Sequence, residues 1–495
     1  MSETPELAAP SPDGTVDILG GADVGRKVVR GSAVRVAGFA LINVLGAAGV
    51  IVLQRTLGVD DYGRYGTVLA LIAIVGLVTD AGLTITGTRE LALRPRGEDR
   101  RALIGTVFGI RLALTAIGMA GCVLFALVAG YVPEMVAGAA VAGAGAVLLS
   151  GQAALTLPLA VDLRNGALTL SEISKQVILL VGIGIVGIAG AGLVPFLSVQ
   201  LAVGGGSLLL TYLLLDRGDR AGPRYEPTAW RELARHTLPV AAASVLATAY
   251  ARLLVILASL LTDERQTGLI VASARIVEIA GGLALLLAGI VLPVAAVAAR
   301  DDRVRLRFVI AKTTEVALLV GALVAIVLAV AARPLVIILG GHEFADAASV
   351  LRIHAIAVAT FFVIQAWITM LIADGRQRDV VRSSAVGLGT ALVAGFVLIP
   401  LFDARGAAAA VIAADAANAV VLLVALRSVT GRVWPTSLSF LARFAVVVAA
   451  AVAIATVLPV TDTVAALVAV AVLAAGSFAL RLVPSEVLDA IPRRR

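Results

Sequence analysis

Residues 235–281 read RHTLPVAAASVLATAYARLLVILASLLTDERQTGLIVASARIVEIAG, and this stretch decides the fold. Two apolar segments flank the polar residues 262–266, a pattern that predicts two antiparallel helices joined by a short turn. Arg252 on the first helix and Arg275 on the second lie about 13 Å and about 12 Å from the turn, at 1.5 Å per residue. The two guanidinium groups therefore lie at similar depth, and Glu278 follows Arg275 by one helical turn.

An earlier stretch repeats this plan. Between Gly31 and Asp80, a basic entry leads into an apolar helix, an acidic turn over 57–63 and a second apolar helix. The offset between the two hairpins is about 204 residues, and self-similarity of this kind predicts a chain built from two related halves.

The composition is that of a membrane protein. Hydrophobic residues make up 60% of the 495 residues, the mean hydropathy is +1.01 and charged residues make up 15%, whereas globular chains have about 25% charged residues. We therefore predict an all-α polytopic membrane protein, in which each span needs about 20 apolar residues. The 14 predicted spans are 34–53, 65–86, 103–130, 135–157, 176–194, 196–215, 238–261, 267–297, 313–339, 349–372, 383–402, 407–426, 441–459 and 464–482.

Lys and Arg are concentrated in alternate loops, and the richer side of a membrane protein is cytoplasmic. The protein is then predicted to lie in the cell membrane with both termini in the cytoplasm. The outer side carries few basic residues, namely Arg55, Arg64, Arg265, Arg333 and Arg405. The net charge of +7 is explained by residues that flank the spans, so no nucleic-acid partner is expected.

The pattern of loops predicts the organisation of the chain. Residues 1–25 are polar and predict a disordered cytoplasmic tail. An N-lobe of six spans follows over 26–215, and a proline-containing cytoplasmic linker over 216–237 leads to a C-lobe of six spans over 238–426. The last two spans and a cytoplasmic C-terminal tail occupy 427–495.

Charged residues inside the spans are the first candidates for a binding site, because an unpaired charge in hydrocarbon costs several kcal/mol. Arg252 and Arg275 are predicted to form a cationic site that binds substrate, with Glu278 able to satisfy one of them and leave the other cationic. The alternative is a structural ion pair with Glu278. Arginine suits phosphate groups because its planar fork makes bidentate contacts.

Each of several other polar residues could have either a functional or a structural role. Arg111 either binds substrate or extends toward the cytoplasmic surface, and Asn43 either lines a cavity or bonds to a neighbouring helix. Asp80 and Asp415 are candidates for proton or ion coupling, although Asp80 also suits a cap or a salt bridge. His354 lies near the outer end of its span and is predicted to be a solvated rim residue.

Several kinds of chemistry find no support in the sequence. Three histidines and the single cysteine, Cys122, supply no credible metal site and no intramolecular disulfide. The chain contains no phosphate-binding loop of the GxxxxGK[ST] type, so ATP hydrolysis is not expected. No cofactor is predicted.

Short motifs carry a family resemblance that covers roughly residues 30–480 when their order and the predicted spans are taken together. They are LGVDDYGRY at 57–65, DAGL at 80–83, TREL at 88–91, ASARIVE at 272–278, ILGGHEFADAASVL at 338–351 and the stretch 371–410. In these motifs the chain resembles polysaccharide flippases, which translocate polyprenyl-pyrophosphate-linked oligosaccharides. They share a superfamily with the MATE multidrug exporters and the lipid II flippase.

The resemblance implies two six-helix lobes that form a V around a central cavity, with two extra helices. It also implies transport by alternating access. The implied partners are the polyprenyl-pyrophosphate-linked glycan, membrane lipids, and a polysaccharide polymerase and glycosyltransferases of the same pathway.

Two other functions remain open. A cation-coupled multidrug or metabolite antiporter of the same fold commonly uses a carboxylate in an early helix, but the predicted first span, 34–53, has no acidic residue. A membrane enzyme, such as a sugar polymerase or glycosyltransferase, usually needs a large outer loop, and the predicted outer loops are short.

Overall fold

The computed structural model describes residues 22–80, 82–227, 230, 249–457 and 461–482, with side chains from residue 41 onward. The ordered elements of this part are helices, including a single 3-10 turn at His342–Phe344. The α-helices are α1 (Ala22–Asp80), α2 (Leu83–Ala92), α3 (Glu98–Val128), α4 (Pro133–Leu155), α5 (Leu157–Val161), α6 (Asn165–Ile188), α7 (Leu193–Leu214), α8 (Ala249–Leu261), α9 (Glu264–Asp301), α10 (Arg303–Val330), α11 (Ala332–Gly340), α12 (Ala347–Ala373), α13 (Gln377–Thr430), α14 (Leu438–Val457) and α15 (Asp462–Ala479).

Among the described residues, eleven helical stretches are long and apolar enough to cross a membrane. The prediction of an all-α polytopic membrane protein is confirmed. Two of these stretches, Leu41–Ala92 and Gln377–Thr430, contain a break in helical geometry. Because the predicted seventh span is described only from Ala249 onward, the count of 14 spans stays a prediction.

Parts of the predicted organisation lie outside the described residues. These are positions 1–21 of the N-terminal tail, most of the linker beyond 227, the beginning of the seventh span up to 248, and the C-terminal tail from 483. Residues 22–25, which were assigned to the tail, belong to α1. The division into an N-lobe and a C-lobe stays a prediction, and we refer below to the residues before 228 and after 248 as the N-half and the C-half.

The first break occurs at Gly58, whose φ of 71° and ψ of −179° separate two helices within α1. A positive φ is accessible to glycine without the steric penalty that a Cβ brings. Before the break, α1 runs alongside α6 in the same direction, since Gly38 packs against Thr169 and Thr56 packs against Gly187.

After the break, α1 runs antiparallel to α3. The thiol of Cys122 donates to the carbonyl oxygen of Leu71 at 3.5 Å, and the hydroxyls of Thr79 and Thr115 lie 3.2 Å apart. The two parts of α1 therefore form the predicted hairpin. The predicted acidic turn over 57–63 is wrong in extent, because residues 59–63 are helical and one glycine reverses the chain.

The predicted span 313–339 is also wrong in its boundaries. α10 begins at Arg303 and ends at Val330, and its 28 residues are about 42 Å long, which already exceeds the hydrocarbon thickness of about 30 Å. The apolar residues that remain form the separate short helix α11. A second reversal follows at Asp403 in α13, where the backbone N–H of Ala404 donates to the Gln266 side chain at 3.4 Å.

The connections between helices lie at two opposite ends of the structure. One end holds the breaks at Gly58 and Asp403 together with the connections 129–132, 262–263 and 341–346. The opposite end holds the connections 93–97, 162–164 and 215–227 of the N-half, and 374–376 and 431–437 of the C-half. We call them the outer and the inner end, following the predicted topology. Which side of the membrane each faces stays a prediction.

The inner end of the N-half is held by a network of ion pairs. Arg100, whose side chain is 5% exposed, donates to Asp162 and Asp219, each at 3.0 Å. Arg96 donates to Asp162 at 2.8 Å. Burial opposes ionisation of Asp162, but the guanidinium groups of Arg96 and Arg100 outweigh it and lower the pKa of this carboxyl group. The network ties α3 to the connections that precede α6 and follow α7.

Replacing Arg100 by alanine is expected to lower the free energy of unfolding by about 3–5 kcal/mol, because it leaves Asp219 buried without a partner. The measurement is chemical unfolding of the purified chain in detergent. Arg101→Ala is the matched control, since Arg101 is exposed on the same helical turn. An equal loss of stability in both variants would contradict the assignment.

The same network predicts a dependence on acid. A carboxyl group whose pKa is lowered by folding adds stability above its ordinary pKa of 3.8, and this stability is lost as the pH falls through the lowered value. Stability measured from pH 5 downward should therefore fall less steeply in Arg96→Ala than in the unmodified chain, because the Asp162 pKa is then closer to its unfolded value. Identical acid profiles would rule this out.

Candidate functional site

The predicted charges of the 235–281 hairpin meet in one cluster. Arg252 Nη2 donates to Glu278 Oε1 at 2.7 Å, and Arg275 Nη1 donates to Glu278 Oε2 at 2.8 Å. Each carboxylate oxygen thus accepts from one guanidinium group. We call Arg252, Arg275 and Glu278 the arginine cluster.

Local structure explains how the three side chains meet. The Asp263 side chain accepts from the backbone N–H of Gln266 at 2.7 Å and caps α9, which keeps the turn from α8 short. Arg275 and Glu278 are three residues apart and share one face of α9. Arg252 lies on α8 about 13 Å from the turn. At this distance from the turn its side chain contacts that of Glu278 on the neighbouring helix.

The cluster is neither fully buried nor neutral. The side chains of Arg252, Arg275 and Glu278 are 40%, 39% and 44% exposed, so each remains partly accessible. The expectation that Glu278 satisfies only one arginine is wrong, because its two oxygens serve both. The summed formal charge is still +1, and each guanidinium group retains N–H donors that Glu278 does not use. An anion is the ligand that such a site can accept.

The cluster lies beside the junction of the two halves. A Cβ at Gly63 would collide with the carbonyl oxygen of Glu264, and Gly66 packs against Val271. Val271 precedes Arg275 by about one turn. The close packing of α1 against α9 therefore lies next to the arginine cluster, on its outer side.

Arg111 and Asp80, for each of which a functional and a structural role are considered above, bond to each other. Arg111 is 2% exposed and donates to both Asp80 and Thr84, which joins α3 to α1 and α2. Gly82, with a φ of 88°, makes the turn between these two helices. The geometry supports the salt-bridge interpretation of Asp80, and it leaves the Arg111 guanidinium inaccessible to a substrate in this conformation.

Asp415 is buried and is held by two neutral groups. The Tyr250 hydroxyl donates to Asp415 Oδ1 at 2.9 Å, and the Thr360 hydroxyl donates to Oδ2 at 3.3 Å. No described Lys or Arg forms an ion pair with this carboxyl group. Tyr250 lies on α8, two residues before Arg252. Asp415 is therefore hydrogen-bonded to the helix that carries Arg252.

His354 and Asn43 lie apart from the arginine cluster in the sequence. The prediction that His354 is a solvated rim residue is wrong: it is 4% exposed, and its Nδ1 lies 2.7 Å from the Ser273 hydroxyl. The position of His354 near the outer end of α12 indicated a rim residue. His354 is buried because it lies on the face of α12 that packs against α9. Asn43 is half-buried on α1 and already interacts with neighbouring groups.

The sequence-based search missed Tyr250. A tyrosine inside an apolar helix is itself a signal, because a buried phenol hydroxyl usually has a hydrogen-bond partner. It also missed Arg352 on α12, which has no ion-pair partner among the described residues.

Carboxylates of Asp162, Asp216 and Asp219 lie close enough together to hold a metal ion. Each of them, however, is ion-paired with arginine, as described for Asp162 and Asp219 and through Arg164 for Asp216 at 3.0 Å. The group is therefore accounted for by the network at the inner end.

Several solved structures share the fold of this chain. The lipid II flippase MurJ in an inward closed conformation matches with a TM-score of 0.73 at 10% identity, over 90% of this chain and 98% of that one. A multidrug resistance MATE family transporter in an inward-facing conformation matches with a TM-score of 0.65 at 17% identity, over 81% and 98%. A transporter of the MOP superfamily from Pyrococcus furiosus matches at 0.55 and 16% identity, over 82% and 95%. The chain is thus a multi-pass membrane protein with the fold of MOP superfamily transporters.

A family model described as polysaccharide biosynthesis protein matches residues 52–349, and the chain belongs to this family. The resemblance stated from the motifs is confirmed. No curated protein sequence matches the chain.

The bond between Tyr250 and Asp415 gives a prediction about stability. Tyr250→Phe should destabilise the chain by about 1–3 kcal/mol, because it removes one of two partners from a buried carboxyl group. Thermal or chemical unfolding in detergent measures this, and Tyr225→Phe on the exposed inner connection is the matched control. Equal stability of the two variants would show that the bond contributes nothing.

Proposed function

We propose that this protein is a transporter that moves polyprenyl-pyrophosphate-linked oligosaccharides across the cytoplasmic membrane by alternating access, for the synthesis of cell-surface polysaccharide. The observation that carries the proposal is the arginine cluster, a net positive and partly exposed site within apolar helices. Membership of a polysaccharide biosynthesis family supports the class of substrate.

The chemistry of the substrate explains why such a site is needed. A diphosphate and several sugars cannot enter hydrocarbon alone, since removing water from charged and hydroxyl groups costs many kcal/mol. The cluster offers guanidinium donors in place of that water, and its charge of +1 complements the diphosphate. The polyprenyl chain is apolar and can stay in the bilayer throughout, so only the head group needs the protein.

Contacts between the halves suggest which state of the cycle is present. At the outer end, Arg55 donates to the carbonyl oxygen of Ile338 at 2.8 Å, and the hydroxyls of Tyr131 and Ser259 lie 2.6 Å apart. We interpret this as a closed outer gate in the predicted V arrangement, with both termini in the cytoplasm. Opening toward the outside would break these bonds and separate α1 from α9.

Asp415 is the better of the two predicted candidates for coupling to protons or ions. It has no cationic partner among the described residues, whereas Asp80 has Arg111. A change of its protonation would alter the bond to Tyr250, which lies on the same helix as Arg252. We propose that this link couples an ion gradient to the position of α8.

A cation-coupled multidrug or metabolite antiporter of the same fold is the second candidate, favoured by the structural similarity to a MATE family transporter. The arginine cluster argues against cationic drugs, because like charges in the site would repel. A polysaccharide polymerase and glycosyltransferases are proposed partners of the pathway, and enzymatic activity of this chain is not proposed.

Deletion of the gene tests the proposal directly. Lipid-linked oligosaccharide is expected to accumulate on the cytoplasmic leaflet, and the unmodified gene should reverse this. Unchanged lipid-linked sugar together with greater sensitivity to cationic drugs would favour the antiporter.

The arginine cluster gives a prediction at the level of residues. Arg252→Ala should reduce transport at least about tenfold with normal membrane abundance, since it leaves Arg275 and Glu278 as a neutral pair that no longer complements a diphosphate. Arg252→Lys should retain partial transport, because the charge remains while the planar fork is lost. Transport is measured in proteoliposomes with undecaprenyl diphosphate N-acetylglucosamine, alongside protein abundance.

The double variant Arg252→Ala/Glu278→Gln separates the two interpretations of Arg252. It restores the charge of +1 through Arg275 but lacks the Arg252 donors, so transport should stay low. Recovery of transport together with abundance would mean that Arg252 only neutralises Glu278. Arg265→Ala, which breaks an ion pair at the outer end, serves as the control for loss of an arginine.

The predicted coupling is tested with Asp415→Asn in the same proteoliposomes. The amide keeps the shape of the side chain but cannot change charge, so transport should no longer respond to an imposed proton or sodium gradient. Exchange without a gradient should persist. A full response to the gradient in Asp415→Asn would exclude Asp415 as the coupling group.

A further inference from the structure

Arginines at the outer end of the chain differ in how they are satisfied. Arg55 bonds to a backbone carbonyl, Arg64 pairs with Asp61 and Glu264, and Arg265 pairs with Asp346. By contrast, Arg333 and Arg352 have no hydrogen-bond or ion-pair partner among the described residues. Positive charge is disfavoured on the outer side of a membrane protein, so two unpaired arginines there call for an explanation.

These two arginines line a single cavity in the C-half. The cavity has a volume of about 660 Å³ and lies between the beginning of α11, the first turns of α12 and the reversal in α13. Arg405 borders it as well, and its Nε donates to the Ser349 hydroxyl at 3.1 Å. The three arginines come from three helices and line the same cavity.

The charges around the cavity favour an anion. Asp346 and Asp403 also line it, so its own side chains sum to +1. Asp346 is already paired with Arg265 at 3.1 Å, and counting that arginine raises the sum to +2. A phosphate group with one or two negative charges would neutralise the cavity.

A second cavity continues from the first through Arg352, which lines both. It is a mostly apolar groove of about 920 Å³ between α10, α12, α13, α14 and the beginning of α15. Its lining includes Ile356, Trp367 and Trp434, together with one acidic residue, Asp462 of α15. Arg352 precedes Trp367 by 15 residues on α12, which is about 22 Å along the helix. This length is comparable to that of an extended fatty acyl chain.

The depth of the arginines fits the head groups of a bilayer. Arg352 lies about 8 Å into α12 from its outer end, and Arg333 and Arg405 lie within two residues of a helix start or reversal. The polar interfacial layer of a membrane occupies several ångströms on each side of the hydrocarbon. A phosphate bound at this level would suit the head group of a lipid whose chains extend along the helices.

We propose that the C-half holds a binding site for an anionic phospholipid of the outer leaflet, with the phosphate at Arg333, Arg352 and Arg405 and an acyl chain in the apolar groove. This site goes beyond the proposed function, since it is formed by the outer end of the C-half and not by the arginine cluster. Its occupancy can be measured without transport, so its failure and that of the proposed function are distinguishable.

Tryptophan fluorescence tests both ends of the site at once. The chain has three tryptophans, of which Trp367 and Trp434 line the groove. Phosphatidic acid brominated near the methyl ends of its chains should quench the full-length protein in neutral detergent. Diacylglycerol and phosphatidylcholine with the same chains should need higher concentrations. Trp434→Phe should remove much of the quenching, because Trp434 is the more exposed of the two.

Variants of the head-group site complete the test. Arg352→Gln should weaken phosphatidic acid binding about fivefold, the usual effect of one basic residue beside an anionic lipid, and Arg333→Gln/Arg352→Gln should weaken it further. Arg55→Gln makes the same change of charge at the outer end and should bind normally.

Three results would overturn the proposal. Equal quenching by all three lipids would indicate an apolar groove without head-group recognition. Displacement by millimolar inorganic phosphate would indicate a site for the free anion. An equal loss of binding in Arg55→Gln and Arg352→Gln would indicate general attraction to charge.

Discussion

A charge inside the membrane must find an opposite charge or water, and this constraint explains the arrangement of the C-half. Arg252 and Arg275 approach from two helices, and Glu278 accepts from both. Pairing removes much of the penalty for each arginine, yet one positive charge remains in a partly open space. The same cluster therefore stabilises the hairpin of α8 and α9 and keeps a site that favours an anion.

Close approach of α1 and α9 is the second constraint, and it depends on glycine. At Gly63 and at Gly268 a Cβ would collide with backbone atoms of the opposite helix, so larger residues there would force the two halves apart. Small residues allow membrane helices to pack closely by van der Waals contact, where lipid offers no hydrophobic driving force. The ion pair between Arg64 and Glu264, at 3.5 Å, crosses the same interface at its outer end.

Buried polar groups in the C-half connect these features. Asp415 bonds to Tyr250 on α8, and His354 bonds to Ser273 on α9. Both helices of the central hairpin are thus tied to the helices behind them, α12 and α13, by hydrogen bonds that are stronger away from water. Movement of the hairpin would require these bonds to rearrange together. The outer arginines around Arg352 lie beyond this set, in a cavity that Gln266 and Leu269 of α9 also line.

The sequence by itself determined the membrane class, the helical hairpin, which the structure describes over 249–281, and the meeting of Arg252, Arg275 and Glu278. Hydropathy and helical spacing are local properties, and this is why they could be predicted. It also carried the family motifs. Only the tertiary structure decided that one glutamate serves both arginines, that Arg111 pairs with Asp80, and that His354 is buried. These outcomes depend on which helix faces which, and residues far apart in the chain decide that. Burial of a residue such as Arg111 or His354 depends on its neighbours on other helices, and spacing along one helix does not specify those neighbours.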